Sequence, residues 1–120
     1  MGIIRNRMVI VHHWNEKELN EIRDDAIKSF QDVVNVFGTR DYDVSKLMVS
    51  PIMQGYSNST EYTFVIEGEC SKLGWEESDL FQEVRKQWCE KWKNKVCNML
   101  IVDFGEGDQI VSLEFKSDEG

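Results

Sequence analysis

Apolar residues along the chain alternate between strand-like runs and helix-like stripes. The first run, Met8 to Val11, is a continuous apolar stretch within a segment from Arg5 to His13. A run of this kind, rich in β-branched residues, is typical of a central strand covered on both faces. Further strands are predicted over Leu47–Met53, Tyr62–Glu67, Met99–Phe104 and Gln109–Phe115, with a hairpin loop at Gly105–Asp108 between the last two.

Two stripes of apolar residues at steps of three and four predict amphipathic helices. The first helix opens at Asn15, with Glu18 at the spacing of a capping box, and stops at Gly38. Its stripe comprises Leu19, Ile22, Ala26, Phe30 and Val33. The second helix is expected from Asp79 to about Val96, with Ser78 as its N-cap. Its stripe comprises Phe81, Val84, Trp88, Trp92 and Val96.

The predicted order, β-α-β-β-α-β-β, indicates a single α+β domain over residues 1–120. Its first six elements match the split βαβ, or ferredoxin-like, plan, in which two helices cover one face of a mostly antiparallel sheet; the extra strand extends one edge. An α+β sheet with another strand order is the open alternative. Pro51 cannot donate to a strand ladder, so its strand is expected at a sheet edge or a bulge. The acidic tail over 116–120 is expected to be frayed.

Composition and charge narrow the class of protein. The 120 residues are 41% hydrophobic and 30% charged, which is typical of a globular domain. Twenty-two acidic against fourteen basic residues give a net charge of -8, which opposes general nucleic-acid binding. No apolar run approaches the roughly 20 residues that span a bilayer. The segment Met1–Met8 has no apolar signal core, so neither membrane insertion nor export is expected.

The cysteines and histidines do not form a metal-binding pattern. Cys70, Cys89 and Cys97 have unrelated spacings without a C-x-x-C pair, and the only histidines, His12 and His13, are adjacent and distant from them. Structural zinc needs four ligands, usually as two close pairs. We therefore expect reduced, inert thiols, no metal and no cofactor.

Catalytic signatures are also missing from the sequence. It has neither a G-x-S-x-G nucleophile elbow nor a glycine-rich phosphate-binding loop. His12 and His13 end the first strand, where imidazole groups could serve as acid or base. Neighbouring residues in a strand point to opposite faces, so at most one histidine faces any given site. The alternative is structural: one histidine half-buried and one exposed. An enzyme is left uncertain, and a non-enzymatic role is favoured.

Several short segments, taken in order, resemble a family of small uncharacterised proteins from tailed bacteriophages. These segments are Arg5–Val11 with His12-His13-Trp14, Arg23 with Ala26 and Phe30, Val49–Ile52, Tyr62–Phe64, and Ser71–Asp79 with Arg85. The most distinctive is Ser71-Lys72-Leu73-Gly74-Trp75. The resemblance implies a phage protein in the cytoplasm of an infected bacterium, and it supplies no catalytic residues.

The leading hypothesis is a small acidic phage accessory protein that binds a host bacterial protein stoichiometrically, to redirect metabolism or to block a defence. Trp75 would be an aromatic anchor, and the acidic surface would steer the encounter. The candidate binding residues are His12, His13, Ser50, Lys72, Trp75 and Arg85.

Other functions are left open. One is binding or sequestering of a nucleotide-type ligand, with Arg85 and Lys72 available for phosphate. Another is an unrecognised hydrolase or nuclease that uses His12 or His13 with carboxylates. Direct nucleic-acid contact through the basic second helix and DNA mimicry by the acidic surface have less support, and a homo-oligomer is compatible with the sequence. A pocket of about 300 Å³ or more at the His13, Trp75 and Ser50 regions would favour the ligand and enzyme hypotheses.

Overall fold

A computed structural model of the protein describes residues 5–37, 41–56, 60–70, 74–105 and 112–117. The elements are β1 (Arg5–His13), α1 (Glu16–Phe37), the one-turn helix α2 (Val44–Leu47), β2 (Met53–Gln54), β3 (Tyr62–Ile66), α3 (Glu76–Trp92), β4 (Asn98–Gly105) and β5 (Ser112–Ser117). The strands form one antiparallel sheet in the order β2-β3-β1-β4-β5. The predicted α+β class is confirmed, and β5 extends the ferredoxin-like sheet beside β4.

The central strand β1 has the predicted bounds and pairs with a strand on each side. Val9 lies opposite Ile66 of β3 and opposite Ile101 of β4. Val9 and Val11 are fully buried, because alternate residues of β1 point toward the two helices. The intervening residues Met8 and Ile10 are half-buried on the opposite face. The two long helices, α1 and α3, therefore lie on one face of the sheet, as the split βαβ plan requires.

The first helix forms as its pattern predicts. All five stripe residues, Leu19, Ile22, Ala26, Phe30 and Val33, are buried. The side-chain oxygen of Asn15 accepts a hydrogen bond from the backbone N–H of Glu18 at 3.0 Å, which satisfies one of the free donors at the helix start. The expected stop at Gly38 lies outside the described residues.

The second long helix starts earlier than the sequence suggests. It begins at Glu76, with Trp75 as an N-cap residue that makes no side-chain capping bond. Ser78 is therefore not the cap: it is buried in the first turn and accepts a hydrogen bond from Gln82 at 3.3 Å. The predicted end at Val96 is also wrong, because the helix ends at Trp92. Acidic residues in the first turn favour the helix start through the helix dipole.

The segment predicted as a strand over Leu47–Met53 is mostly not a strand. The side chain of Asp43 accepts a hydrogen bond from the Ser45 N–H at 3.0 Å and starts α2, which takes Leu47 out of the extended chain. Val49 makes a single bridge to Ile66, and only Met53–Gln54 pairs at the sheet edge. Pro51 lies exposed just before that edge strand.

The C-terminal strand runs further than expected. Lys116 and Ser117 belong to β5, where they lie opposite Met99 and Asn98. The prediction of a frayed tail from residue 116 is therefore wrong at these two positions, because backbone pairing with β4 extends the strand. Residues 106–111, which include the start of the predicted strand at Gln109, and residues 118–120 lie outside the described residues.

Aromatic side chains join the helices to the sheet. Phe64 of β3 meets Trp88 of α3 edge to face, with ring centroids 6.4 Å apart, and Phe30 stacks on Phe81 at 6.4 Å. Trp88 is buried as predicted, whereas Trp92 is half-buried. Among the described helices, none is long and apolar enough to cross a membrane.

Shortening Phe64 to alanine should destabilise the fold by about 3–5 kcal/mol, because it leaves a cavity beneath Trp88. Urea denaturation followed by tryptophan fluorescence measures this change. The control is Val36→Ala on the exposed side of α1, which should change stability by no more than about 0.5 kcal/mol. Equal effects of the two changes would contradict this description of the core.

Candidate functional site

A cleft of about 640 Å³ lies between α3 and the helix-covered face of the sheet. Its helical wall consists of side chains that recur at steps of three and four, so that they share one side of α3. These residues are Asp79, Gln82, Glu83, Lys86 and Glu90, with Arg85 and Cys89 beside them. These positions of α3 carry polar residues because this side of the helix faces away from its contact with α1.

The opposite wall is formed by β1 and β4. Arg7 and Asp103 are direct partners in the strand register, and Arg7 Nε donates to Asp103 Oδ2 at 3.2 Å. Arg7 also reaches Gln82 Oε1 at 3.5 Å and so links the sheet to α3. Ile101 adds an apolar group to the same wall. Arg7 faces the cleft because it lies two residues before Val9, on the face of β1 that the helices cover.

Among the candidate binding residues that the structure describes, Arg85 alone lines this cleft. Its side chain is 5% exposed and forms an ion pair with Glu69, whose side chain is 9% exposed. Arg85 Nε is buried and has no hydrogen-bond partner among the described residues. A buried donor without a partner costs about 1–3 kcal/mol, more for a charged group. An acceptor supplied by a ligand would recover part of this cost.

The charges around the cleft are mixed. Four carboxylates and three cationic groups line it: Asp79, Glu83, Glu90 and Asp103 against Arg7, Arg85 and Lys86. Arg7 is bound to Asp103, and Arg85 is bound to Glu69. The cleft therefore presents both hydrogen-bond acceptors and donors, with a slight excess of negative charge.

The two histidines lie at the far end of β1 on opposite faces of the sheet, as their adjacency predicts. On one face, His12 contacts Glu61 Oε1 through Nε2 at 2.7 Å and Thr63 Oγ1 through Nδ1 at 3.0 Å. On the other face, His13 is buried, with Nε2 2.8 Å from Glu18 Oε1.

Ser50 makes structural contacts in the described chain. Its hydroxyl donates to the carbonyl of Pro51 at 3.0 Å and accepts from the backbone N–H of Val65 at 2.8 Å. Its carbonyl accepts from Arg23 Nε at 2.7 Å, which ties this segment to α1. Lys72 lies outside the described residues.

The His13, Trp75 and Ser50 regions do not line one cleft. Trp75 precedes the start of α3, and that start lies beside the beginning of β1, where Gln82 meets Arg7. The other end of α3 leads to Cys97, whose N–H donates to the His12 carbonyl at 3.0 Å. Trp75 and the histidines are therefore at opposite ends of the sheet, while Ser50 lies between them, bonded to Val65.

Most residues of the cleft are not among the candidates predicted from the sequence. The polar residues of α3 carried a usable signal, since Asp79, Glu83, Lys86 and Glu90 recur with the helical period on the side opposite the stripe. Arg7 and Asp103 carried no such signal, because only the pairing of β1 with β4 brings these two residues together. Within the described parts of the chain, no group of three or more histidine, cysteine, aspartate or glutamate residues could hold a metal ion.

Comparison with known proteins assigns no family to this chain. No family model and no curated protein matches the sequence, so the resemblance to the phage family stays a prediction. Among solved structures, the chain is similar to a phage SAM lyase in complex with S-methyl-5′-thioadenosine. The identity is 12% and the TM-score 0.44, with 98% of this chain and 92% of that chain covered. Similarity of this degree gives no information about the activity of this protein.

Replacing Glu69 by glutamine should destabilise the protein by about 3–5 kcal/mol, because the buried Arg85 guanidinium loses its counter-charge. Urea denaturation measures the loss. The control is Asp32→Asn in the exposed Lys28–Asp32 pair on α1, which should cost less than about 1 kcal/mol.

The double change Glu69→Leu with Arg85→Met is a second test of the same ion pair. It removes both charges together, so it should cost much less than Glu69→Gln alone. A double variant as unstable as the single one would show that the charge of Arg85 is not what Glu69 stabilises.

Proposed function

We propose that the protein binds a small polar molecule of about nucleoside size, uncharged or zwitterionic, in the cleft between α3 and the sheet. The observation that carries this proposal is the buried Arg85 guanidinium in the cleft wall, with its Nε lacking a partner among the described residues. The volume of about 640 Å³ falls within the range of about 300–1,000 Å³ typical of ligand pockets.

The charges of the lining select the class of ligand. The carboxylates of Asp79, Glu83 and Glu90 can accept hydrogen bonds from hydroxyl or ammonium groups. A polyphosphate would face these carboxylates, and the net charge of -8 would repel it further. Ribose hydroxyls or an α-amino-acid group fit this lining better, because they offer donors to the carboxylates and acceptors to Arg85.

Preorganised groups support binding in this cleft. Arg7 is held by Asp103 and Gln82, and Arg85 is held by Glu69, so neither guanidinium has to be ordered when a ligand arrives. Binding then costs less side-chain entropy than it would with free arginines. Lys86 is exposed at the rim and can orient a carboxylate of the ligand.

The test is isothermal titration of the full chain with adenosine, S-methyl-5′-thioadenosine, a zwitterionic amino-acid-bearing nucleoside and ATP. S-methyl-5′-thioadenosine is included as the ligand of the neighbour structure, and the proposal does not depend on it. At least one uncharged or zwitterionic compound should bind, and more tightly than ATP. At one hundred times its dissociation constant, it should stabilise the fold by about 2.7 kcal/mol.

Matched variants locate the site. Glu83→Gln removes a cleft carboxylate and should weaken binding about tenfold or more, as expected for a lost hydrogen bond to a charged group. Glu76→Gln, on the exposed first turn of the same helix, should leave the affinity unchanged. The proposal fails if no compound of this class binds, if ATP binds best, or if the two variants behave alike.

Stoichiometric binding to a host bacterial protein is the second candidate function. It is supported by the acidity of the chain and by Trp75, which is 53% exposed at the start of α3. Exposed tryptophans are frequent anchors of protein interfaces. Action in the cytoplasm of a phage-infected bacterium is proposed on the sequence resemblance alone.

Trp75→Ala tests this second function. In pull-downs from bacterial lysate, the wild type should capture one saturable protein partner, and Trp75→Ala should lose it. Trp14→Ala, a change of a similarly exposed tryptophan at the other end of the sheet, should retain the partner. Loss of the partner in both variants, or no saturable partner at all, would count against Trp75 as the anchor.

A further inference from the structure

A cysteine, a histidine and a glutamate form a connected line at the end of β1. His13 Nδ1 lies 3.6 Å from Cys97 Sγ, and His13 Nε2 lies 2.8 Å from Glu18 Oε1. The three residues come from β1, from the first turn of α1 and from the chain between α3 and β4. None of them lines the α3 cleft, so this cluster is separate from the proposed ligand site.

The hydrogen-bond partners fix the roles of the two ring nitrogens. An ionised Glu18 can only accept, so Nε2 of His13 carries the hydrogen that bonds to it. In the neutral ring, Nδ1 then holds the lone pair and can accept the thiol hydrogen of Cys97. A thiol, a base within hydrogen-bond reach and a carboxylate that orients the base are the three parts of an activated nucleophile.

Local packing holds this arrangement in place. The N–H of Cys97 donates to the His12 carbonyl at 3.0 Å, and the preceding Val96 is fully buried. His13 is 4% exposed, so its ring has little room to turn. Cys97 is half-buried rather than enclosed. Glu18 also departs here from the capping-box pattern, because its side chain contacts His13.

We propose that Cys97 is a nucleophile for activated acyl compounds, with His13 as its base and Glu18 as the residue that positions His13. In the reaction, the Cys97 sulfur attacks the carbonyl carbon of a thioester and its hydrogen passes to His13 Nδ1. The carbon–sulfur bond to the leaving thiolate then breaks, and that thiolate takes the proton from His13. The products are S-acylated Cys97 and a free thiol, with no net oxidation or reduction.

Trp14 gives this site an apolar surface. Its ring is 59% exposed, and its centroid lies 5.7 Å from that of His13. An alkyl chain on the acyl group can cover the exposed face of the indole, which favours longer acyl chains through the area removed from water. The substrate class is therefore an acyl thioester with an apolar chain.

The other two cysteines are internal references in the same molecule. Cys89 is buried, at 6% exposure, and lies in the core. Cys70 is exposed, but partial burial and then the charges of Glu67 and Glu69 raise the pKa of its thiol. Since the thiolate is the reactive form, Cys70 should react slowly at neutral pH and faster as the pH rises toward its raised pKa.

The experiment is timed acylation of the full-length protein with the hexanoyl thioester of N-acetylcysteamine at pH 7, read by peptide mass mapping. Cys97 should be acylated first, Cys70 more slowly and Cys89 least. His13→Gln should slow Cys97 about 10²-fold, the lower range for loss of a general base, and leave Cys70 unchanged. Trp14→Ala should lower the hexanoyl rate but not the acetyl rate.

Glu18→Gln keeps the test valid if His13→Gln fails to fold, since Glu18 is an exposed residue. This variant should lose the high rate of Cys97 at neutral pH and show a rate that rises with pH, as at Cys70. Glu21→Gln, an exposed change one turn further along α1, should leave both profiles unchanged.

Three results would overturn the proposal. They are acylation of Cys97 no faster than Cys70 at pH 7, an unchanged pH profile in Glu18→Gln, and an unchanged Cys97 rate in a folded His13→Gln protein. None of these outcomes bears on the cleft, which is tested by titration and by Glu83→Gln.

Discussion

The register of the central strand β1 is the constraint on which the other features depend. β1 pairs with β3 on one side and with β4 on the other, and its alternate residues face the helices. On that one face, Arg7 lines the cleft, Val9 and Val11 lie in the core, and His13 contacts Cys97. A slip by one residue would turn all four to the opposite face, so burial of the two valines also fixes the orientation of the polar groups.

Arg85 illustrates how a charged residue is accommodated among apolar neighbours. It stands four residues after Phe81 and three before Trp88, at a position that belongs to the buried side of α3. The ion pair with Glu69 compensates for the loss of water around the guanidinium. Burying a charge in this way adds little to stability by itself, and its effect is to hold a donor group rigidly in the cleft wall.

Sequence patterns predicted the elements that depend on apolar periodicity. The bounds of β1 and the five buried residues of α1 follow directly from the spacing of their side chains. The Leu47–Met53 segment departs from its apolar pattern because the cap at Asp43 starts a helical turn that includes Leu47. Contacts such as Arg7–Asp103 and His13–Cys97 join residues 96 and 84 positions apart, so no local pattern carries them.

Gly68 shows how tightly the start of β1 is enclosed. A Cβ atom at this position would lie 2.7 Å from the backbone nitrogen and 2.9 Å from the carbonyl oxygen of Arg7, and still nearer to the side-chain oxygen of Asn6. Any larger residue would therefore have to push the first strand aside, and Arg7 would move with it. A change at 68 can thus displace the Arg7 side of the cleft although this residue borders no part of it, so a single glycine sets the cleft geometry from a distance.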